Sequence, residues 1–170
     1  MVECTALERR HTRKGIEGSN PSLSALTFLF FIMQLNYLAI VLATVAEFAV
    51  GAIWYTPIFG KVWGKIHGFD TRSKEEQQKM MKSMGPLLAV QFVVTLITTV
   101  VLAIFIAALP SNWNVYGMAG FFWLGFVVPT QVSAVVFGGT EPKWRVKKIA
   151  IMAGASFICL MVAAAILHMM

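Results

Sequence analysis

The residue in this sequence best placed to do chemistry is Glu47. It sits in the run Ala46-Glu47-Phe48-Ala49-Val50, eleven residues beyond Asn36 and near the middle of an apolar stretch. A charged carboxylate is disfavoured in hydrocarbon, and an ionisable residue at membrane depth is by default a functional-site hypothesis. Two roles are open to it. Protonated, it can tie helices together through hydrogen bonds, each commonly worth about 0.6 kcal/mol and at most about 2. Alternatively, it can bind and release a proton. By depth, Thr95 and Thr98 in a second apolar run and Gln131 in a third are the side chains expected to hydrogen-bond it.

Other reactive groups do not assemble into a site. His67 and His168 belong near opposite faces and cannot share a metal. The two cysteines, Cys4 and Cys159, are far apart and offer neither a disulfide framework nor metal-ligand spacing. Gly138-Gly139-Thr140-Glu141 resembles a phosphate cradle only until its sequel is read, because no Lys-Ser/Thr follows in Walker spacing. It reads as a turn leading to Pro142. There is no Gly-x-Ser-x-Gly, no His-Glu-x-x-His and no second intramembrane acid or base to pair with Glu47. No enzyme activity, cofactor or metal is expected.

The elements that must position Glu47 follow from composition. Of the 170 residues, 58% are hydrophobic and 13% charged, against roughly 25% charged in soluble domains. The apolar residues gather into runs of about 20, the length that crosses a hydrocarbon core of roughly 30 Å. The fold class is therefore all-α, a polytopic bundle of four transmembrane helices over about 36–56, 86–109, 115–137 and 149–169. Pro57 should stop the first span. Ala39, Ala43 and Ala46 form a small-residue stripe on it that lets a neighbouring helix approach closely, and Glu47 lies beside that stripe, facing protein rather than lipid. Pro129 should kink the third span, and Ala150 and Gly154 form a small-xxx-small pair in the fourth.

In the first loop, Ser73-Lys74-Glu75-Glu76 has the form of a capping box. The segment after it, to Met84, carries Met80, Met81 and Met84 to one side of its lysines. It reads as a short amphipathic helix lying at the membrane interface, with a solvated linker helix as the alternative. Gly85-Pro86 should end it and open the second span. Trp54, Trp113 and Trp144 suit the interfacial belts, Trp63 the surface, and Trp123 interior packing.

Residues 1–32 differ from the rest. They are polar and mixed in charge up to Ser24 and apolar from Ala25. A secretory signal would end on an Ala-x-Ala-like site, and none precedes Met33; a disordered leader is a second reading. The third is a start site placed too far upstream. Gly18-Ser19-Asn20-Pro21 is what the usual T-arm of a transfer-RNA gene encodes when translated, and this reading expects translation to begin at Met33. An uninterrupted span over 25–55 would also be about 46 Å long, too long for one crossing without severe tilt. The membrane domain is then 33–170.

Charge sets the expected orientation. The first loop holds Lys61, Lys65, Arg72, Lys74, Lys79 and Lys82, and the third holds Lys143, Arg145, Lys147 and Lys148. Counted from Met33, the second loop and both ends hold no lysine or arginine. By the positive-inside rule, loops 57–85 and 138–148 are cytoplasmic and both termini lie outside. The formal charge of +6 reflects this topology and not nucleic-acid affinity.

The stretch Asn36-Tyr37-Leu38-Ala39-Ile40, followed by the motif residues Gly51, Trp54, Tyr55, Pro57, Phe59, Gly60, Lys61 and Trp63, resembles the bacterial membrane-protein family called domain of unknown function 1761. Thr56 stands where serine is commoner in that family. The resemblance covers 33–170. It implies four apolar spans and a bacterial cytoplasmic (inner) membrane location, and it assigns no activity. Ala46-Glu47 also gives a loose similarity to the small multidrug resistance transporters, four-span proteins that lack so long a first loop. The expected function is thus a structural or partner-binding integral membrane protein, with the lipid bilayer as its surroundings. The alternative is a proton-linked transporter of a small molecule that uses Glu47 and acts as a homo-dimer.

Overall fold

The computed structural model describes Leu35–Met170 apart from Ser111. The expectations for the leader over 1–32 and for a start at Met33 lie outside the described residues. Within them the chain is all-helical, and four stretches are long and apolar enough to cross a membrane: Tyr37–Ile58, Lys74–Ala107, Val115–Phe137 and Pro142–Met169. The first span is α1 (Tyr37–Ile53) continued by a π-helical segment, Trp54–Ile58. A short helix, α2 (Gly60–Ile66), and a 3-10 turn, Phe69–Thr71, lead to α3 (Lys74–Ala107). The third span is α4 (Val115–Phe122), a π segment over Trp123–Val127, and α5 (Val128–Phe137). The fourth is α6 (Pro142–Met169).

Side-chain caps fix three of the helix starts. Asn36 accepts from the Ala39 amide at 3.1 Å, and Asn114 from the Gly117 amide at 2.8 Å. Ser73 and Glu76 form the reciprocal capping box, with the Ser73 amide donating to Glu76 at 3.0 Å and the Glu76 amide to Ser73 Oγ at 3.3 Å. Each satisfies amides that a helix start leaves without a partner.

Two boundaries differ from the sequence-based expectation. The surface helix after Ser73 is not a separate element: α3 runs unbroken through Gly85 and Pro86. Its 34 residues extend about 51 Å, well beyond a hydrocarbon core of about 30 Å. The methionine-bearing segment is therefore the projecting front of the second span. Pro86 removes one helical donor, for the Lys82 carbonyl, where residues 81–90 are all exposed and the surroundings can hydrate that oxygen. The second difference is at Pro57, which does not stop the first span. The helix widens into the π segment, the Phe59 amide reaches the Trp54 carbonyl at 2.9 Å, and the break comes at Phe59. A similar widening precedes Pro129, which enters at the start of α5. In both spans a π turn takes up the missing proline donor.

Helix α6 is the central element. It packs against α1, α3, α4 and α5, while α1 also packs against α3. The second and third spans meet through the rings of Phe105 and Phe122, 4.8 Å apart. On α1 the buried residues are Ala39, Ile40, Ala43, Thr44 and Glu47, a single stripe at helical spacing, whereas Val41, Leu42 and Val45 are exposed. The stripe lies against a fourth span that buries Ala155, Ala163 and Ala164. Small residues on both sides let the backbones approach, and in a membrane this close packing is the main source of helix association. The core groups Ala43 with Leu102, Met118, Ala119, Leu160, Ala163 and Ala164. Of the other expected small-residue positions, Ala46 is half-buried and Ala150 is exposed, so of the Ala150–Gly154 pair it is Gly154 that meets a neighbouring span, at the Trp54 ring.

Candidate functional site

Glu47 is 5% exposed and faces neither lipid nor water. The α1 stripe turns it toward α3, where Thr99, fully buried, comes within 2.5 Å: Thr99 Oγ1 to Glu47 Oε2. Thr99 Oγ1 is also 2.9 Å from the Thr95 carbonyl oxygen. From α6, the Cys159 thiol donates to the Glu47 backbone carbonyl at 3.5 Å. One turn before Glu47, Thr44 is fully buried and donates to the Ile40 carbonyl at 2.8 Å. The polar centre is therefore small: one carboxyl, one hydroxyl from the second span, and a thiol at the backbone.

The expected partners of the carboxyl make their own hydrogen bonds elsewhere or, among the described residues, none. Thr95 donates its hydroxyl to Gln91 O at 2.9 Å, and its own carbonyl serves Thr99. Thr98 is exposed and donates to Val94 O at 3.0 Å. Gln131 belongs to α5, and its Oε1 is buried without a hydrogen-bond partner. The sequence reading names neither Thr99 nor Cys159 as a partner of Glu47. Thr95 and Thr99 are four apart and share a face, together with buried Leu102 and Ala103, whereas Thr98 points about 100° away from Thr99. That periodicity was the available signal. Nothing in the sequence singles out Cys159.

The motif residues build an aromatic corner where the first span leaves the bundle. Trp54 donates its indole N–H to the Ile151 carbonyl at 3.0 Å and lays its ring against Gly154. A Cβ at Gly154 would sit 2.9 Å from Trp54 Cζ2, so only glycine admits the ring in this position. Trp54 is therefore packed into the bundle and not merely anchored at an interface. Phe59 packs on Trp54 with centroids 4.8 Å apart, and Tyr55 on Trp63 at the same separation. Gly60 lets the backbone double back, since a Cβ there would lie 3.2 Å from the Tyr55 carbonyl oxygen. Lys61 is exposed, and Gly51 has no neighbour within 4 Å of a would-be Cβ, so packing does not account for it. From the other side, Trp123 donates to the Ala153 carbonyl at 2.9 Å. Two indoles, each opening a π segment, thus hold one turn of α6.

The histidines stay apart. His67 stacks on Trp63 with centroids 4.4 Å apart, and His168 lies 6.2 Å from the Tyr116 ring. No group of three or more His, Cys, Asp or Glu capable of holding a metal ion occurs among the described residues. Gly138–Glu141 forms the turn into α6, as expected.

No curated protein and no solved structure matches the chain. A family model described as a protein of unknown function (DUF1761) matches residues 38–168. With the Trp54–Trp63 corner and all but the first and last residues of the four apolar spans inside that match, the chain belongs to the DUF1761 family.

Proposed function

We propose that this protein is a non-enzymatic multi-pass membrane protein in which Glu47 is a neutral clasp between helices, and that the bundle acts as a structural or partner-binding unit. The observation that carries this reading is the hydrogen count at Thr99. Its hydroxyl has one hydrogen, and two oxygens lie within reach, Glu47 Oε2 at 2.5 Å and Thr95 O at 2.9 Å. A protonated Glu47 resolves the competition: the carboxyl O–H donates to Thr99 Oγ1, and the Thr99 hydrogen goes to the Thr95 carbonyl. No lysine or arginine forms an ion pair with Glu47 among the described residues, which also suits a neutral group. Basic loops at 57–85 and 138–148 support a cytoplasmic position for them in a bacterial inner membrane, with the termini outside.

Proton-linked transport, in a homo-dimer, is the second reading, because a carboxyl held at mid-depth is also what such a carrier needs. A conduction path would be expected to gather polar groups from several spans. Instead, among the described residues, Thr98 faces outward, the Gln131 Oε1 has no hydrogen-bond partner, and one hydroxyl meets the carboxyl. The balance favours the clasp. Purified Glu47→Gln and Glu47→Leu variants, unfolded in mixed micelles of increasing denaturing detergent, test it. A neutral clasp predicts that the amide variant keeps wild-type stability and the leucine variant loses it. Equal loss in both would count against a neutral carboxyl.

A further inference from the structure

At the basic end of the bundle, two cations gather on one residue. Thr140, 9% exposed, receives the Arg145 Nε–H on its carbonyl at 3.0 Å and the Lys148 ammonium on its hydroxyl at 3.3 Å. Lys148 also lies 5.9 Å from the centre of the Trp63 ring. Both cations are half-buried, and neither has a carboxylate partner: the ion pair formed among the described residues is Glu141 with Lys143, at 2.7 Å and well exposed. Among the described residues, Arg145 keeps its terminal N–H donors free of any protein acceptor, in the planar fork that suits a phosphate.

The positive-inside rule explains why basic residues are at this end, but not why two of them converge. Solvated cations repel and spread, and partial burial without a counter-ion is costly. An anion relieves both. The place selects which anion: Trp63 beside Lys148, and Trp144 with Lys143 and Lys147 within 6 Å of its ring, are aromatic groups of the membrane–water boundary, just past the apolar part of α6. We infer that Arg145 and Lys148, held together by Thr140 beside Trp63, bind the phosphodiester headgroup of an anionic phospholipid in the adjoining leaflet.

The test is native mass spectrometry of the full chain in detergent, offered equal amounts of phosphatidylglycerol and phosphatidylcholine with matched acyl chains. The wild type should retain phosphatidylglycerol preferentially. Arg145→Gln combined with Lys148→Gln should lower that preference by roughly fivefold for each positive charge removed. Lys79→Gln combined with Lys82→Gln, an equal charge change on the exposed front of α3, should leave it intact. Equal retention of the two lipids by the wild type would overturn the inference without recourse to any variant. So would an equal drop in both double variants, which would mean diffuse attraction. Inorganic phosphate alone raising the thermal stability as much as phosphatidylglycerol does would make this a free-phosphate site and overturn the lipid assignment.

Discussion

Glu47 shows how much hangs on a single position along a helix. Its depth and its place beside the alanine stripe were legible in the sequence, because residues at helical spacing share a face whatever the partner is. Its partner was less legible. Thr95, Thr98 and Thr99 lie within little more than one turn, and only the face of α3 that carries Leu102 and Ala103 decides among them. The Glu47–Thr99 contact predicts a measurable coupling. A double-mutant cycle with Glu47→Leu and Thr99→Val, read by detergent unfolding, should give about 0.6 kcal/mol and at most about 2. The same cycle with Thr98→Val should give no coupling, since Thr98 is exposed and bonded to its own helix. Coupling to Thr98 in place of Thr99 would mean that α3 is rotated relative to this structure.

At the scale of elements, the proline positions were visible in the sequence but their effect was not. Pro57, Pro86 and Pro129 each remove a donor, yet no span ends at any of them. The reason is physical: a π turn widens the ring of hydrogen bonds near Pro57 and Pro129, and exposure tolerates the loss at Pro86. A continuous α3 predicts that Pro86→Ala raises stability, by up to about 3 kcal/mol, through helix propensity alone. A loss on that substitution, in thermal unfolding monitored by circular dichroism, would indicate a real break at Gly85-Pro86. The grip of Trp54 on α6 makes a second prediction. Gly154→Val should cost about 1–3 kcal/mol by overpacking against the indole. Combining it with Trp54→Leu should remove most of that added cost, because the ring that clashes is gone. The motif around Trp54 was recognisable as a motif, but its target on α6 was not, since long-range contacts leave no periodic trace.

For the whole molecule, the four spans follow from composition and length, and the structure has four helical stretches long and apolar enough to cross a membrane. Their arrangement does not follow. That α6 is central, with α1 and α3 on one side and α4 and α5 on another, depends on small-residue faces and indole contacts distributed over the entire chain. The proposed orientation makes its own prediction. In a background with both Cys4→Ser and Cys159→Ser, Asn114→Cys should react with an impermeant thiol reagent in intact cells, and Lys79→Cys should react only after the membrane is opened. The reverse pattern would invert the topology. The central claim, that the bundle seals a neutral Glu47 against Thr99, is tested most directly by carbodiimide labelling of the protein in lipid, followed by mass spectrometry across pH. These reagents modify protonated carboxyls that they can reach. A sealed clasp predicts no adduct on Glu47 at any pH at which the protein stays folded. An adduct on Glu47 that disappears as pH rises would reveal an accessible, titrating carboxyl and contradict the account.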